Sequence, residues 1–320
     1  HLNEFALTAD WAAPKLKITE VRAGMPVGGL AAAGDLDVLT RELKFNAQSD
    51  FDLHALDALL TEKSRDWIGN FTWQTPPVLQ LSGALTLPGW TNRQPYWRKV
   101  QSSVVLNGSV HLTNACYRGI TMDAASTHLS YSNRVWHLPD FALSRPEGVL
   151  NLNLCSEELS HDYRIKLDGT FDPRAVAPLL DEKGRRGLGY FAMTNAPVLD
   201  AEIWGRWFER ERIGARASLA WTNFSFRGQH ADVLTASLEY TNRILQVSSP
   251  HIERGAERVT ADHITFNFDE NRAYLTNGYC DTDPMAVATA IGPKTAVAVE
   301  RYQFLKPPVT RVHGVIPLRG

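Results

Sequence analysis

Residues able to do chemistry are present in this chain, but no spacing gathers them into a working set. The ten histidines are scattered, and no His-Glu-x-x-His, close His/Cys/Asp group or Gly-x-Ser-x-Gly elbow occurs, so metal-hydrolase and serine-nucleophile chemistry have no local signature. Gly24, Gly28 and Gly29 have the wrong spacing for a phosphate loop, and no Gly-Lys-Ser/Thr follows. Cys116, Cys155 and Cys280 are far apart and odd in number, which suits neither a disulfide framework nor a metal site. Asp269, Asp281 and Asp283 lack the spacing and terminal glutamate of a calcium loop and read as a turn and a helix cap. His161, Asp162, His251 and Glu253 read as turn or strand residues. The expectation is a protein with no catalytic residues, no metal and no cofactor.

Two polar pairs recur. Asn133-Arg134 and Asn242-Arg243 each follow an aromatic strand-like run, and Arg118 and Arg227 each precede a glycine. They read as recurring structural corners, with contact to an anionic ligand as the other use of such arginines. Eight of the tryptophans, at 67, 73, 90, 97, 136, 204, 207 and 221, do not recur at matched positions. A sugar-stacking platform built on a repeat would recur, so core packing and rim burial lead.

The positioning elements come from an internal repeat, the feature that organises all 320 residues. Phe51-Asp52-Leu53, Phe171-Asp172-Pro173 and Thr282-Asp283-Pro284 align, and each aspartate is followed 25 residues later by a Pro-Val pair, at Pro77, Pro197 and Pro308. A glycine then follows, at Gly83, Gly205 and Gly314. Residues 118–134 match residues 227–243 at seven of seventeen positions, and the period is 109 to 120 residues. The repeats are placed at 1–95, 96–207 and 208–320, as one continuous array. Asp52, Asp172 and Asp283 sit where a helix N-cap belongs, with proline at the first helical position in two copies. Leu53, Leu56, Leu59 and Leu60 form one apolar stripe behind the first cap, so each repeat is expected to carry one short helix.

Almost everything else alternates with period two. Leu79, Leu81, Leu85 and Leu87 are separated by polar residues or small ones, and so are Leu150, Leu152 and Leu154. The same pattern runs through Val104, Leu106, Val110 and Leu112, and through Ile264, Phe266 and Phe268. This is the signature of antiparallel strands with one apolar and one polar face. A few short helices cannot cover the apolar face of fifteen to twenty strands of about six residues each. Either sheets close on each other, or the apolar face stays open as a trough for a ligand.

Composition bounds the partners. The chain is 44% apolar and 21% charged, with formal charge −2, so it folds and has no basic field for nucleic acid. No run approaches the roughly 18–20 apolar residues of a membrane span. It opens at His1 and ends in strand-like Val315-Ile316-Pro317-Leu318, which reads as a segment of something longer.

The Leu79-Gln80-Leu81-Ser82-Gly83 cadence, the capped segments at 51, 171 and 282 and the Pro-Val strands together resemble AsmA-like proteins, the group containing TamB. The likeness runs from about Ala31 onward. It implies a gram-negative cell-envelope protein, anchored in the inner membrane by a helix absent here and projecting into the periplasm. It also implies a long, U-shaped β-sheet with an apolar groove, a role in phospholipid transport and outer-membrane homeostasis, and no catalytic residues.

The reading is therefore an all-β protein, an elongated curved antiparallel sheet of three imperfect repeats with short helices. Its expected function is non-enzymatic binding or conduction of lipid acyl chains. The partners would be phospholipid or another acyl lipid and envelope membrane proteins, with no nucleic acid. Candidate groove residues are Leu79, Leu81, Leu85, Val104, Leu106, Leu150, Leu152, Ile264, Phe266 and Phe268. The alternatives are a structural or adhesive repeat with sealed cores and a carbohydrate-binding β-sandwich.

Overall fold

A computed structural model of the chain describes residues 2–91 and 100–318. The fold is 61% strand and 14% helix, one large antiparallel sheet of 19 strands with a few short helices. The expected all-β class is what forms. Contacts divide the chain into two units, His1–Pro146 with Asn151–Tyr163 and Glu147–Leu150 with Arg164–Gly320. The repeat boundary at residues 95 and 96, and Trp97, lie outside the described residues.

The first unit is an up-and-down meander of β1 (Glu4–Ala12), β2 (Lys15–Gly24), β3 (Gly29–Asp37), β4 (Glu42–Ser49), β5 (Phe71–Thr86), β6 (Val105–Tyr117), β7 (Ile120–Ser132) and β8 (Val135–Arg145). β9 (Gly148–Glu157) and β10 (Asp162–Thr170) carry residues of both units. The recurring corners are two-residue hairpin turns. Arg118 and Gly119 have φ of 48° and 88°, and Asn133 and Arg134 have 51° and 64°. Positive φ at both central residues matches the right-handed strand twist, and Asn and Gly tolerate it best.

Between β4 and β5 lies a 3-10 turn, η1 (Leu53–Leu59), followed by α1 (Glu62–Ile68). Asp52 caps η1 by accepting a bond from the His54 N–H, as its position led us to expect. The single helix expected here is, however, two short ones. The backbone turns extended at Leu60, and Thr61 then accepts from the Ser64 N–H as a second N-cap. A fresh cap restarts helix geometry because it satisfies donors that the broken turn leaves orphaned.

The second unit repeats this plan. η2 (Pro173–Leu179) and α2 (Glu182–Leu188) precede β11 (Phe191–Met193), β12 (Val198–Arg206), β13 (Glu209–Phe226), β14 (Gln229–Thr241), β15 (Ile244–Arg254), β16 (Glu257–Thr260), β17 (His263–Asn267) and β18 (Arg272–Cys280). A third pair, α3 (Pro284–Ile291) and α4 (Pro293–Val299), leads into β19 (Thr310–Pro317). Asp172 and Asp283 cap η2 and α3 through the Arg174 and Met285 N–H groups, and Asp181 caps α2. Arg227-Gly228 and Asn242-Arg243 make the same positive-φ turns as their counterparts 109 residues earlier. The period varies because β5 and β6 are joined by residues 87–104, whereas only Trp207 and Phe208 join β12 to the longer β13.

Candidate functional site: an apolar sheet face

Antiparallel pairing carries the period-two alternation sideways, so apolar residues line up across strands. In the first unit one row runs Ile18, Gly34, Phe45, Gly83, Leu106, Tyr131, and the next runs Val21, Ala32, Ala47, Leu81, Gly108, Leu129. Leu36, Leu43 and Leu85 form a third. Glycines alternate with bulky neighbours for a steric reason. A Cβ at Gly83 would lie 2.8 Å from Leu106 Cδ2, and one at Gly108 would lie 2.7 Å from Leu81 Cδ2, so each glycine makes room for a leucine folded across it.

The second unit builds equivalent rows: Ala201, Ala217, Leu238, Val247, Ile264, Leu275, and Ile203, Ala215, Tyr240, Leu245, Phe266, Ala273, Ile316. The structure therefore places Leu79, Leu81, Leu85 and Leu106 on one face of the first unit, and Ile264 and Phe266 on one face of the second. Leu150 and Leu152 sit on β9. Two candidates fall outside strands: Val104 lies one residue before β6, and Phe268 is in the turn after β17, its backbone N–H bonded to the Arg243 carbonyl.

No candidate is sealed. Nine are half-buried and Phe268 is 39% exposed; among the described residues no large side chain is buried completely. The chain exposes 20262 Å², whereas two compact units sharing its mass equally would expose about 16,000 Å² in all.

Two small knots are closely packed, and Phe51 and Tyr131 are buried apart from them. Ala115, Met122 and Ala125 are buried with Trp73, Leu112, Tyr117, Phe141 and Leu143 packed around them. In the second unit Trp221, Phe224 and Ala231 are buried with Phe191, Met193, Phe226, Leu234 and Ile252. Trp73 donates its indole N–H to Asp52 Oδ1 at 3.1 Å and stacks on His54 at 4.6 Å, so the first helix pair is seated on its knot. Trp221 donates to the Asn195 carbonyl at 2.9 Å. Arg227 lies over the Tyr190 ring at 4.5 Å and donates to the Ile291 carbonyl at the end of α3. It clamps two carbonyls there, of Ala290 and Ile291, a structural use of the corner.

The opposite face is polar, and the hollows lie there. In the first unit Gln48, Gln80, Ser109 and His128 form one row and Asn46, Ser82, Asn107 and Ser130 another, bordering an open hollow of about 880 Å³. In the second, Asp200, Glu202, Arg216 and Glu239 border one of about 520 Å³. Of the ten candidates only Leu81 borders either hollow. Short polar side chains leave space on their face, while leucines and aromatics fill their own. Glu202 is 7% exposed and is held between Arg164, at 3.5 Å, and Arg216, the pairing that a buried carboxylate needs.

Sequence reasoning missed one polar cluster. Glu158 accepts from Gln101 Nε2 at 2.7 Å, the Tyr131 hydroxyl at 3.0 Å and the Trp136 indole at 3.2 Å. Burial first, and then the bond to Glu158, raises the Tyr131 pKa. These residues lie far apart in sequence and share no motif, so nothing marked them. Elsewhere His128 lowers the Asp140 pKa by hydrogen bonding, and the Gly255 N–H, then His230, lower that of Asp232. The cysteines are free, and among the described residues no three His, Cys, Asp or Glu side chains are grouped to hold a metal. No helix among them is long and apolar enough to cross a membrane. The described tryptophans do not converge: Trp73 and Trp221 sit in different knots, Trp136 on Glu158 and Trp204 across Gly214, while Trp11, Trp67, Trp90 and Trp207 are exposed.

Comparison with protein families, with curated proteins and with solved structures finds no match for this chain.

Proposed function

We propose that the chain is a non-enzymatic lipid-binding repeat whose apolar sheet face takes up acyl chains, in the cell envelope of a gram-negative bacterium. The observation that carries this reading is the set of Leu, Ile, Val and Phe rows that line one face of each unit and stay partly open to solvent. Each CH₂ of a bound acyl chain would contribute about 0.8 kcal/mol by leaving water. Successive rows of similar residues offer many near-equivalent shallow sites, which suits movement along the sheet better than permanent capture. The resemblance to AsmA-like proteins supports the periplasmic location, the inner-membrane anchor and phospholipid as the partner. The sealed-core alternative is less well supported, since none of the ten candidate residues is buried, and the described tryptophans are scattered rather than gathered on one surface.

The test is native mass spectrometry of the chain purified from a gram-negative host, followed by lipid extraction. Co-purifying phospholipid is expected, and Leu81→Glu, Leu106→Glu and Phe266→Glu together should remove it while circular dichroism keeps its strand signal. An apo mass with no uptake of a fluorescent fatty acid would overturn the reading.

A further inference from the structure

One corner of the second unit departs from the others. Arg118-Gly119, Asn133-Arg134, Arg227-Gly228 and Asn242-Arg243 each put glycine or asparagine in left-handed backbone, where those residues are least strained. Trp207 and Phe208 join β12 to β13, and Phe208 takes φ of 73°. A bulky aromatic suits that backbone poorly. Nor is it there for the core, since Phe208 is 96% exposed and Trp207 41%.

Charge gathers behind this apex. Arg206, Glu209, Arg210, Glu211 and Arg212 flank it, and Glu209 pairs with Arg206 at 3.4 Å and with Arg212 at 2.6 Å. Three arginines against two glutamates leave the collar net positive, with Arg210, Glu211 and Arg212 exposed. Residues 210–213 face Gly205 alone on β12, and β14 pairs with β13 only from Ala215 onward. On that side the tip therefore runs past the Asn242-Arg243 corner.

We propose that this hairpin tip docks on a phospholipid bilayer, with Trp207 and Phe208 at the level of the headgroups and the arginines on lipid phosphates. The order along the hairpin is the order of depth in a bilayer interface: aromatic rings toward the hydrocarbon, arginines at the phosphates, paired strands in water. Glycine would make an easier turn, whereas an aromatic side chain there gains burial from a surface outside the chain. The tip holds none of the groove candidates, so docking stands whether or not the apolar face takes up acyl chains.

Cosedimentation with vesicles of phosphatidylethanolamine and phosphatidylglycerol tests it. The chain should pellet with them, and Phe208→Gly combined with Trp207→Ser should weaken binding about tenfold or more. Glycine and asparagine both accept the left-handed backbone, so Phe208→Gly and Phe208→Asn should each keep the fold in chemical denaturation and still lose binding. Arg210→Glu should weaken binding to these vesicles far more than to vesicles of phosphatidylcholine alone. Leu81→Gln, Leu106→Gln and Phe266→Gln together should leave pelleting intact, and the tip variants should still take up a fluorescent fatty acid, so docking and acyl-chain uptake fail separately. A chain that does not pellet overturns the proposal. So do tip variants that pellet as well as the wild type, or a folded Gln variant of the apolar face that no longer pellets.

Discussion

The two knots fill equivalent places with different residues. Leu112 and Trp221 correspond at the 109-residue offset, as do Ala115 and Phe224, Met122 and Ala231, and Ala125 and Leu234. Trp73 corresponds to Met193 at the 120-residue offset. At one strand pair the knots exchange large for small, while Tyr117 and Phe226, and Leu143 and Ile252, keep their size. Ala115 faces Met122 in the first, and Phe224 faces Ala231 in the second. What the repeat preserves is filled space and an anchored indole, because packing is sensitive to total volume more than to which strand supplies it. This also explains why the tryptophans fail to recur at matched positions while both knots contain one.

Removing an anchor should have the largest effect. Trp221→Ala should cost about 3–5 kcal/mol in chemical denaturation, and Trp73→Ala a similar amount. Leu81→Ala on the apolar face should cost only about 1 kcal/mol, since a half-buried side chain forfeits a fraction of the full transfer term. Equal losses at the two places would remove the distinction between knot and open face. Next in size is the exchange that rebuilds one knot in the image of the other. Ala115→Phe alone should cost about 1–3 kcal/mol by overpacking, and Met122→Ala about 2–5 kcal/mol by cavity formation. Their combination should cost less than the sum by about 1–2 kcal/mol, measured as a double-mutant cycle.

The caps give a smaller contrast. Asp172→Ala should lose about 1 kcal/mol, and Asp52→Ala more, because Asp52 also receives the Trp73 indole. Identical losses would show that the bond to Trp73 contributes no more than the exposed Arg174–Asp172 ion pair. Smallest is the response to acid. Asp140 and Asp232 have lowered pKa values in the folded chain, so they stabilise it above the ordinary carboxylate range, and that contribution is lost as pH falls through that range to their folded values. Asp140→Asn and Asp232→Asn should each flatten the acid limb of a pH–stability curve and leave stability near pH 7 only slightly reduced. A limb unchanged by either would place the acid sensitivity elsewhere.

Much of the fold was legible because its signals are local. Alternation at Leu79, Leu81 and Leu85 specifies a strand with two unlike faces, and Asp52, Asp172 and Asp283 satisfy N–H groups two residues away. Asn133 and Asn242 mark turns by a backbone preference of their own. The splitting of each helix was not read, because Thr61 and Asp181 act as second caps only once the chain has turned extended before them. Asn114 and Asn223 were also passed over, although both take left-handed backbone in mid-strand and mark where the packed residues change parity, from Leu112 to Ala115 and from Trp221 to Phe224.

The sequence by itself determined the strands, their turns, the caps and the repeat, since each depends on residues close together in the chain. Tertiary structure alone decided which residues became neighbours across strands. It brought Trp73 to Asp52, Glu158 to Tyr131 and Trp136, and Leu106 across Gly83. It also kept the apolar rows partly open to solvent and opened the hollows over the polar faces. Those outcomes depend on pairing register and on how side-chain volumes meet, and neither is written in any one segment.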